Sequence, residues 1–469
     1  MPTIHDKVKH VIVVMLENRS FNNMLGWLKN PDNMPRSEPA SYSLPVDPDH
    51  SHEGVMWQLL GKKPTAWPAP TSPITMGGFA AEYEASGGHG VDVLRGFKPE
   101  QVPVLSTLAQ EFATCTRWFC SVPGQTWPNR NYAHAGTSDG EVNIKIRFYK
   151  NPTIFERIHA AGGSWRVYHQ GPAQVWCFPA LWLEPFHHRF ADHADLVDDI
   201  RNDRLPNYAF VEPDHGVIFH DTQHSSNSQH PGNNVVDGRD FRAGEMLLHT
   251  IYTTLLASPE VWRKTLLIVT YDEHGGFADH VPPPDNAVAP DDNGLNYFGF
   301  TLLGPRVPTV LVSPWIRRGA DDGQTTYDHS AIPRALRELF APDSEPLSRR
   351  EQHAALLLKR LALDEPRADV PTTQPLRVAP TLRAERVSAA STTLAAPPRP
   401  LDPFQQSLVE LSQLVDNGLR TEAAATRLSR DRFVESVNAA PDAMYPFVTE
   451  ADRQFYLQDV VRRFQSRHR

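Results

Sequence analysis

Two short apolar runs in this chain each end in a pair of oxygen-bearing side chains. Val11-Ile12-Val13-Val14-Met15-Leu16 runs straight into Glu17-Asn18, and Leu266-Leu267-Ile268-Val269 leads through Thr270-Tyr271 into Asp272-Glu273. Carboxylate and amide oxygens are hard donors, and these groups gathered at one place repel one another unless a divalent cation sits between them. Together the two pairs point to metal-assisted chemistry, although either alone also reads as an ordinary loop start. A third segment, SVPGQTWPNRNY, adds a hydroxyl: Thr126 stands just ahead of Pro128, and Gly124 permits a tight approach of the backbone. Spacing leaves two readings of Thr126 open. It is a helix N-cap, or it is a nucleophile at a helix N-terminus, where N–H groups attract a phosphate and a cation lowers the hydroxyl pKa.

The elements that must position these groups follow from the pattern. Non-alternating runs of β-branched and aliphatic residues are strands buried on both faces, the parallel-sheet pattern. Strands are expected at 9–16, 165–169, 207–212, 265–271 and 308–313, and helices at 103–113, 152–161, 240–257, 329–340 and 349–363. The helix at 240–257 followed by the strand at 265–271 reads as half of a crossover unit. In such α/β sheets the site lies beyond the carboxyl ends of the strands. Long polar loops at about 27–80 and 213–239 carry many histidines, and loops of that length in a compact domain are usually functional.

Composition shifts near Pro366. Three units are expected: a catalytic domain over 1–365, a proline-rich linker over 366–402, and a helical segment over 403–469. Asp402-Pro403 opens a helix whose stripe is Phe404, Leu408, Leu411 and Val415, with Gly418 as its end; amphipathic segments near 421–437 and 449–466 follow. Their apolar faces can be buried on the catalytic body, in a homo-oligomer or at a lipid surface.

A formal net charge of −9 excludes the basic footprint of a nucleic-acid binder. No window approaches a membrane span, and no secretory signal is visible at the start, so cytoplasmic residence or export by a signal-independent route is expected. The three cysteines, Cys115, Cys120 and Cys177, make no disulfide framework and are read as buried thiols, although one bridge from Cys120 stays open.

Taken in order, HVIVVMLENRSF, SVPGQTWPNRNY, QHPGNNV and TYDEHGGFADHVPPP resemble the bacterial phosphoesterase family of phosphatidylcholine-type phospholipase C and acid phosphatase A, over roughly residues 8–345. The resemblance implies an alkaline-phosphatase-like fold, a mostly parallel sheet flanked by helices. It also implies one divalent metal ion (zinc, calcium, magnesium or manganese) held by Glu17, Asn18, Thr126, Asp272 and Glu273. Thr126 is then the nucleophile, as in the phospholipase C branch, and Glu273 stands where acid phosphatase A has Asp. His50, His169 and His230 surround the transferred phosphate, with His52 competing for the role of His50. The expected activity is hydrolysis of a phospholipid-type phosphodiester through a phosphothreonine. A phosphomonoesterase is the alternative within that family, a sulfatase-like hydrolase the alternative within the fold. An inactive scaffold that binds a partner through its C-terminal helices is the alternative of another class.

Overall fold

The computed structural model describes residues 2–28, 39–69, 71, 73–182, 186, 188–218, 226–231, 239–295, 297–319, 323–373, 401–424, 438 and 447–466. Its centre is a seven-stranded sheet in the order β2-β7-β6-β1-β5-β3-β4. The strands are β1 His10–Leu16, β2 Ala113–Thr114, β3 Trp165–Tyr168, β4 Phe190–Ala191, β5 Tyr208–Val211, β6 Thr265–Tyr271 and β7 Thr309–Val312. Five run parallel, from β6 through β1, β5 and β3 to β4, while β7 pairs antiparallel with β6 and β2 antiparallel with β7. All seven residues of β6 and all but the first of β1 are buried, as non-alternating runs require. The two-residue strands β2 and β4 are too short to leave a sequence pattern.

Register brings the site residues together. Leu16 lies opposite Tyr271, and Val14 lies opposite both Val269 and Val211. The residues that leave these strands, Glu17, Asp272 and Glu212, therefore emerge side by side at one edge. His169 follows Tyr168, which pairs with Val211, and so leaves the same edge one strand further on.

Helices cover the sheet. The expected helices are found at Pro103–Glu111, Ile154–Ala160, Arg239–Leu256 and Ala331–Phe340. The one expected over 349–363 is instead an α-turn at Arg349–His353 and a 3-10 turn at Leu357–Arg360. Every residue of the Thr126–Ala135 helix is buried. The C-terminal helix does not stop at Gly418; it runs from Pro403 to Ala424. A single glycine costs only about 1 kcal/mol inside a helix, and packing overrides that. Phe404, Leu408, Leu411 and Val415 are buried in the main core together with β1, β5 and β6, as are Leu457, Val460, Val461 and Phe464 of the Glu450–Ser466 helix. The rest of the amphipathic segment expected near 421–437, and most of the linker, lie outside the described residues. Cys115, Cys120 and Cys177 are buried free thiols.

Candidate active site

Asn18 turns the chain as it leaves β1. Its backbone is left-handed (φ 57°), a conformation Asn tolerates well. Its N–H donates to Asp272 Oδ1 at 3.1 Å, and the Glu273 N–H donates to the same oxygen at 2.7 Å. Gly275 follows in the left-handed region (φ 63°), and a Cβ there would lie 2.1 Å from the Asn18 carbonyl oxygen, so only glycine lets the two turns touch. The two oxygen pairs that the sequence set 254 positions apart are thus joined through their backbones.

Thr126 reaches this edge on its own helix. The N-cap is Gln125, and Thr126 is the first helical residue, so its hydroxyl performs no capping. Gly124 makes the turn possible: a Cβ there would lie 1.9 Å from the Val142 carbonyl oxygen. One turn on, Arg130 is fully buried and fixes the helix to the strand ends. Its guanidinium donates to Asp272 Oδ2 at 2.9 Å, to Glu212 Oε1 at 2.9 Å and to the Met15 carbonyl at 3.1 Å. Residues four apart share a helix face, so Thr126 looks toward the same edge.

Buried oxygens there without a hydrogen-bond partner among the described residues include Glu17 Oε1, Asn18 Oδ1, Thr126 Oγ1 and Glu273 Oε1, with Glu212 Oε2 beside them. Leaving a buried polar atom unsatisfied costs about 1–3 kcal/mol. Asp272 differs, since both its oxygens already accept hydrogen bonds. Burial and the neighbouring carboxylates Glu17 and Glu273 push the Asp272 carboxyl up, against the pull of Arg130. Burial likewise opposes the charge on Glu17, but His215, 2.7 Å away, outweighs it and holds that carboxyl at about 2. The donor chemistry, hard oxygens with open lone pairs, is of the kind a divalent cation takes.

The histidines fall into two groups. His50 Nδ1 faces the Pro48 carbonyl at 2.9 Å, which leaves Nε2 3.5 Å from Asn18 Nδ2. Its ring stands 6.0 Å from that of His230. Burial works against protonation of His50, but Glu273 and Asp47 prevail and raise it to about 9. His230 is raised as well: burial opposes, and Asp47 and Asp402 overcome it from 3.8 and 4.0 Å. Asp47, His50 and His230 bring one ligand atom each within 4.8 Å of one another, a group that can itself hold a metal ion. His52, the competing position, turns away; its Nδ1 meets the Pro123 carbonyl at 2.6 Å. His169 packs edge-on against Trp176 and Phe190, its Nδ1 faces the Gly171 carbonyl, and burial lowers it to about 4. No hydrogen bond joins it to Glu17, Asn18, Thr126, His50 or His230 among the described residues.

The chain matches the Phosphoesterase family over residues 8–341. It belongs to that family. Curated relatives agree: it is 35% identical to "Non-specific phospholipase C3" of Arabidopsis thaliana over 78% of this chain and 76% of that protein, and 33% identical to "Non-specific phospholipase C1" of the same organism over 98% and 86%. Among solved structures it is similar to a protein in the alkaline phosphatase superfamily from Vibrio parahaemolyticus, with a TM-score of 0.34 and 12% identity over 71% of this chain and 67% of that one. As a member of the phosphoesterase family the chain is a hydrolase acting on phosphoric ester bonds.

Several site residues of this family member escaped the sequence reading. Glu212 had a signal, being an acid directly after the buried run Tyr208-Ala209-Phe210-Val211, the pattern used for Glu17 and Asp272. Arg130 stands one turn from Thr126, and Asp47 lies three residues from His50. His215, left without a role, bridges Glu17 and Glu212 at 2.7 Å each. Asp402 had no local signal at all, because its place beside His230 depends on the fold of the C-terminal helix.

Proposed function

We propose that this chain is a metal-dependent phospholipase C that cleaves phospholipid-type phosphodiesters with Thr126 as nucleophile. The observation that carries the reading is the set of buried oxygens on Glu17, Asn18, Thr126 and Glu273 that have no hydrogen-bond partner among the described residues. Those residues would hold one divalent ion, with Asp272 anchoring the two turns. When bound, the ion would lower the pKa of the Thr126 hydroxyl and neutralise charge on the phosphoryl oxygens. Supporting the diester over a monoester are the names of the relatives.

The chain's own groups divide the work. Thr126 Oγ1, its hydroxyl proton given up to solvent beforehand, attacks phosphorus in line with the bond to the leaving glycerol oxygen. His230, its proton retained by Asp47 and Asp402, delivers that proton to the departing oxygen as the P–O bond breaks. His50, protonated beside Glu273 and Asp47, donates from Nε2 to a phosphoryl oxygen. Water then attacks the threonine phosphodiester, the neutral His230 takes a proton from that water, and Thr126 leaves as the alkoxide that begins the next cycle. His169 leaves the same sheet edge one strand further on, with its buried Nε2 without a hydrogen-bond partner among the described residues.

The test pairs p-nitrophenylphosphorylcholine with p-nitrophenyl phosphate, each with and without chelator. The expected result is faster turnover of the diester, lost on chelation and restored by a divalent ion. Preference for the monoester would replace this reading with a phosphatase, and turnover that survives chelation would remove the metal from it.

A further inference from the structure

An aromatic rim borders this site, and nothing in the catalytic cycle above uses it. Trp67 and Tyr297 come from loops some 230 positions apart, yet they stack with ring centroids 6.3 Å apart and 13° between planes. Each is 39% exposed, among the most exposed large apolar side chains described. Both rings lie against His52, at 5.3 and 5.8 Å. His52 in turn holds the Pro123 carbonyl, three residues before Thr126, and is separated from His50 by Ser51 alone. The pair is therefore one side chain away from the loops that carry the nucleophile and a phosphate-facing imidazole.

The surroundings have the anatomy of an interfacial anchor. Leu295 and Val288, on the same loop as Tyr297, are also exposed, at 39% and 38%. Beneath them Val55, Met56, Leu59, Phe298, Phe300 and Leu302 form a separate apolar cluster that stiffens the rim. The Tyr297 hydroxyl is tied to Glu53 Oε1 at 3.2 Å, which keeps its polar end toward the protein and water. Charges on the flanks nearly balance: Lys62, Lys63 and Arg349 stand against Glu53, Asp285, Asp291 and Asp292, with Asp292 bonded to Arg349. Trp and Tyr settle at the boundary between headgroups and hydrocarbon, where an apolar body and a polar tip are both satisfied. A balanced charge suits a zwitterionic surface better than a strongly anionic one.

We infer that Trp67 and Tyr297, with Leu295 and Val288, dock the enzyme on a zwitterionic lipid surface and bring the phosphodiester plane to Thr126. This rests on the phospholipase reading. The test uses the full chain and a W67A/Y297A double variant. Both are assayed on phosphatidylcholine vesicles and on water-soluble p-nitrophenylphosphorylcholine, and both are sedimented with the vesicles. The double variant should keep its rate on the soluble ester within about twofold and lose about tenfold on vesicles, with co-sedimentation falling in parallel, a tenfold change being one decade of affinity. A W67F/Y297F variant, which keeps the rings, should retain most of both. Equal loss on the two substrates, or unchanged sedimentation, would overturn the inference. So would a fall from dimer to monomer by light scattering with vesicle binding intact, since the rim would then be a contact between copies. If the wild type binds vesicles through the rim but cleaves no phospholipid, the substrate reading fails while the docking surface stands.

Discussion

A hydroxyl at the first helical position has nothing to cap, and burying one without a partner costs free energy; Thr126 is such a hydroxyl among the described residues. Its role can therefore be separated from stability. Thr126→Ala should leave the unfolding midpoint nearly unchanged, within about 1 kcal/mol, while turnover falls by at least about 10³-fold, as expected when a nucleophile is removed. Thr126→Ser should recover a measurable part of that rate. Retention of most of the activity in the alanine variant would assign the nucleophile elsewhere. His230 offers a second separation. Asp47 and Asp402 flank it and, against the effect of burial, raise its pKa, which favours the protonated form that a general acid needs. His230→Ala should slow alkyl leaving groups at least about tenfold more than p-nitrophenol, whose oxygen needs little help from an acid. Equal losses on the two would make His230 a phosphate-binding residue only.

At the scale of elements, the parallel strands were legible because burial on both faces leaves an uninterrupted apolar run, and their ends were legible because acids follow at once. The edge strands β2 and β4 were not, since two residues carry no periodicity. Nor was the length of the C-terminal helix, where core packing of Phe404, Leu408, Leu411 and Val415 carries the chain past Gly418. A helix-to-helix contact also escaped notice. Glu245, inside the Arg239–Leu256 helix, accepts the Val104 and Leu105 N–H groups at 2.6 and 3.1 Å, serving as a borrowed cap for the Pro103–Glu111 helix. Burial raises this carboxyl from 4.5 to about 7. A carboxyl whose folded pKa lies above its unfolded value binds more protons in the folded state. Its contribution to stability is thus greatest below about pH 4.5 and declines as pH rises toward 7. The full difference is roughly 3 kcal/mol. Glu245→Gln should flatten that part of the stability profile relative to wild type, as read from thermal midpoints between pH 5 and pH 7.5. Parallel profiles for the two proteins would contradict the assignment.

For the whole molecule, the C-terminal segment forms part of the site wall as well as of the core. The Trp127 indole donates to Ser407 Oγ at 3.0 Å, Gln405 Nε2 donates to the His215 carbonyl at 2.7 Å, and the Phe404 ring meets the His215 ring edge-on at 4.8 Å. Further on, Gln465 donates to the His169 carbonyl at 2.9 Å, and Phe464 stacks on Trp176. Composition left three places open for the apolar stripes of residues 403–469, the catalytic body among them, because contacts between residues hundreds of positions apart leave no local trace. Truncation after Leu401 should therefore lower both solubility and turnover. Asp402→Asn, which keeps a capping oxygen for the Gln405 N–H, should leave solubility intact and repeat the leaving-group effect of His230→Ala in weaker form. A truncated, soluble and fully active protein would sever the C-terminal helices from the site.

In this mechanism phosphorus passes through Thr126. The direct measurement is mass spectrometry of the protein quenched in acid during turnover of p-nitrophenylphosphorylcholine with a divalent ion present. The account predicts a phosphorylcholine adduct on the peptide that contains Thr126, absent when chelator is added before substrate. An adduct on another residue, or none while p-nitrophenol is being released in a pre-steady-state burst, would contradict it.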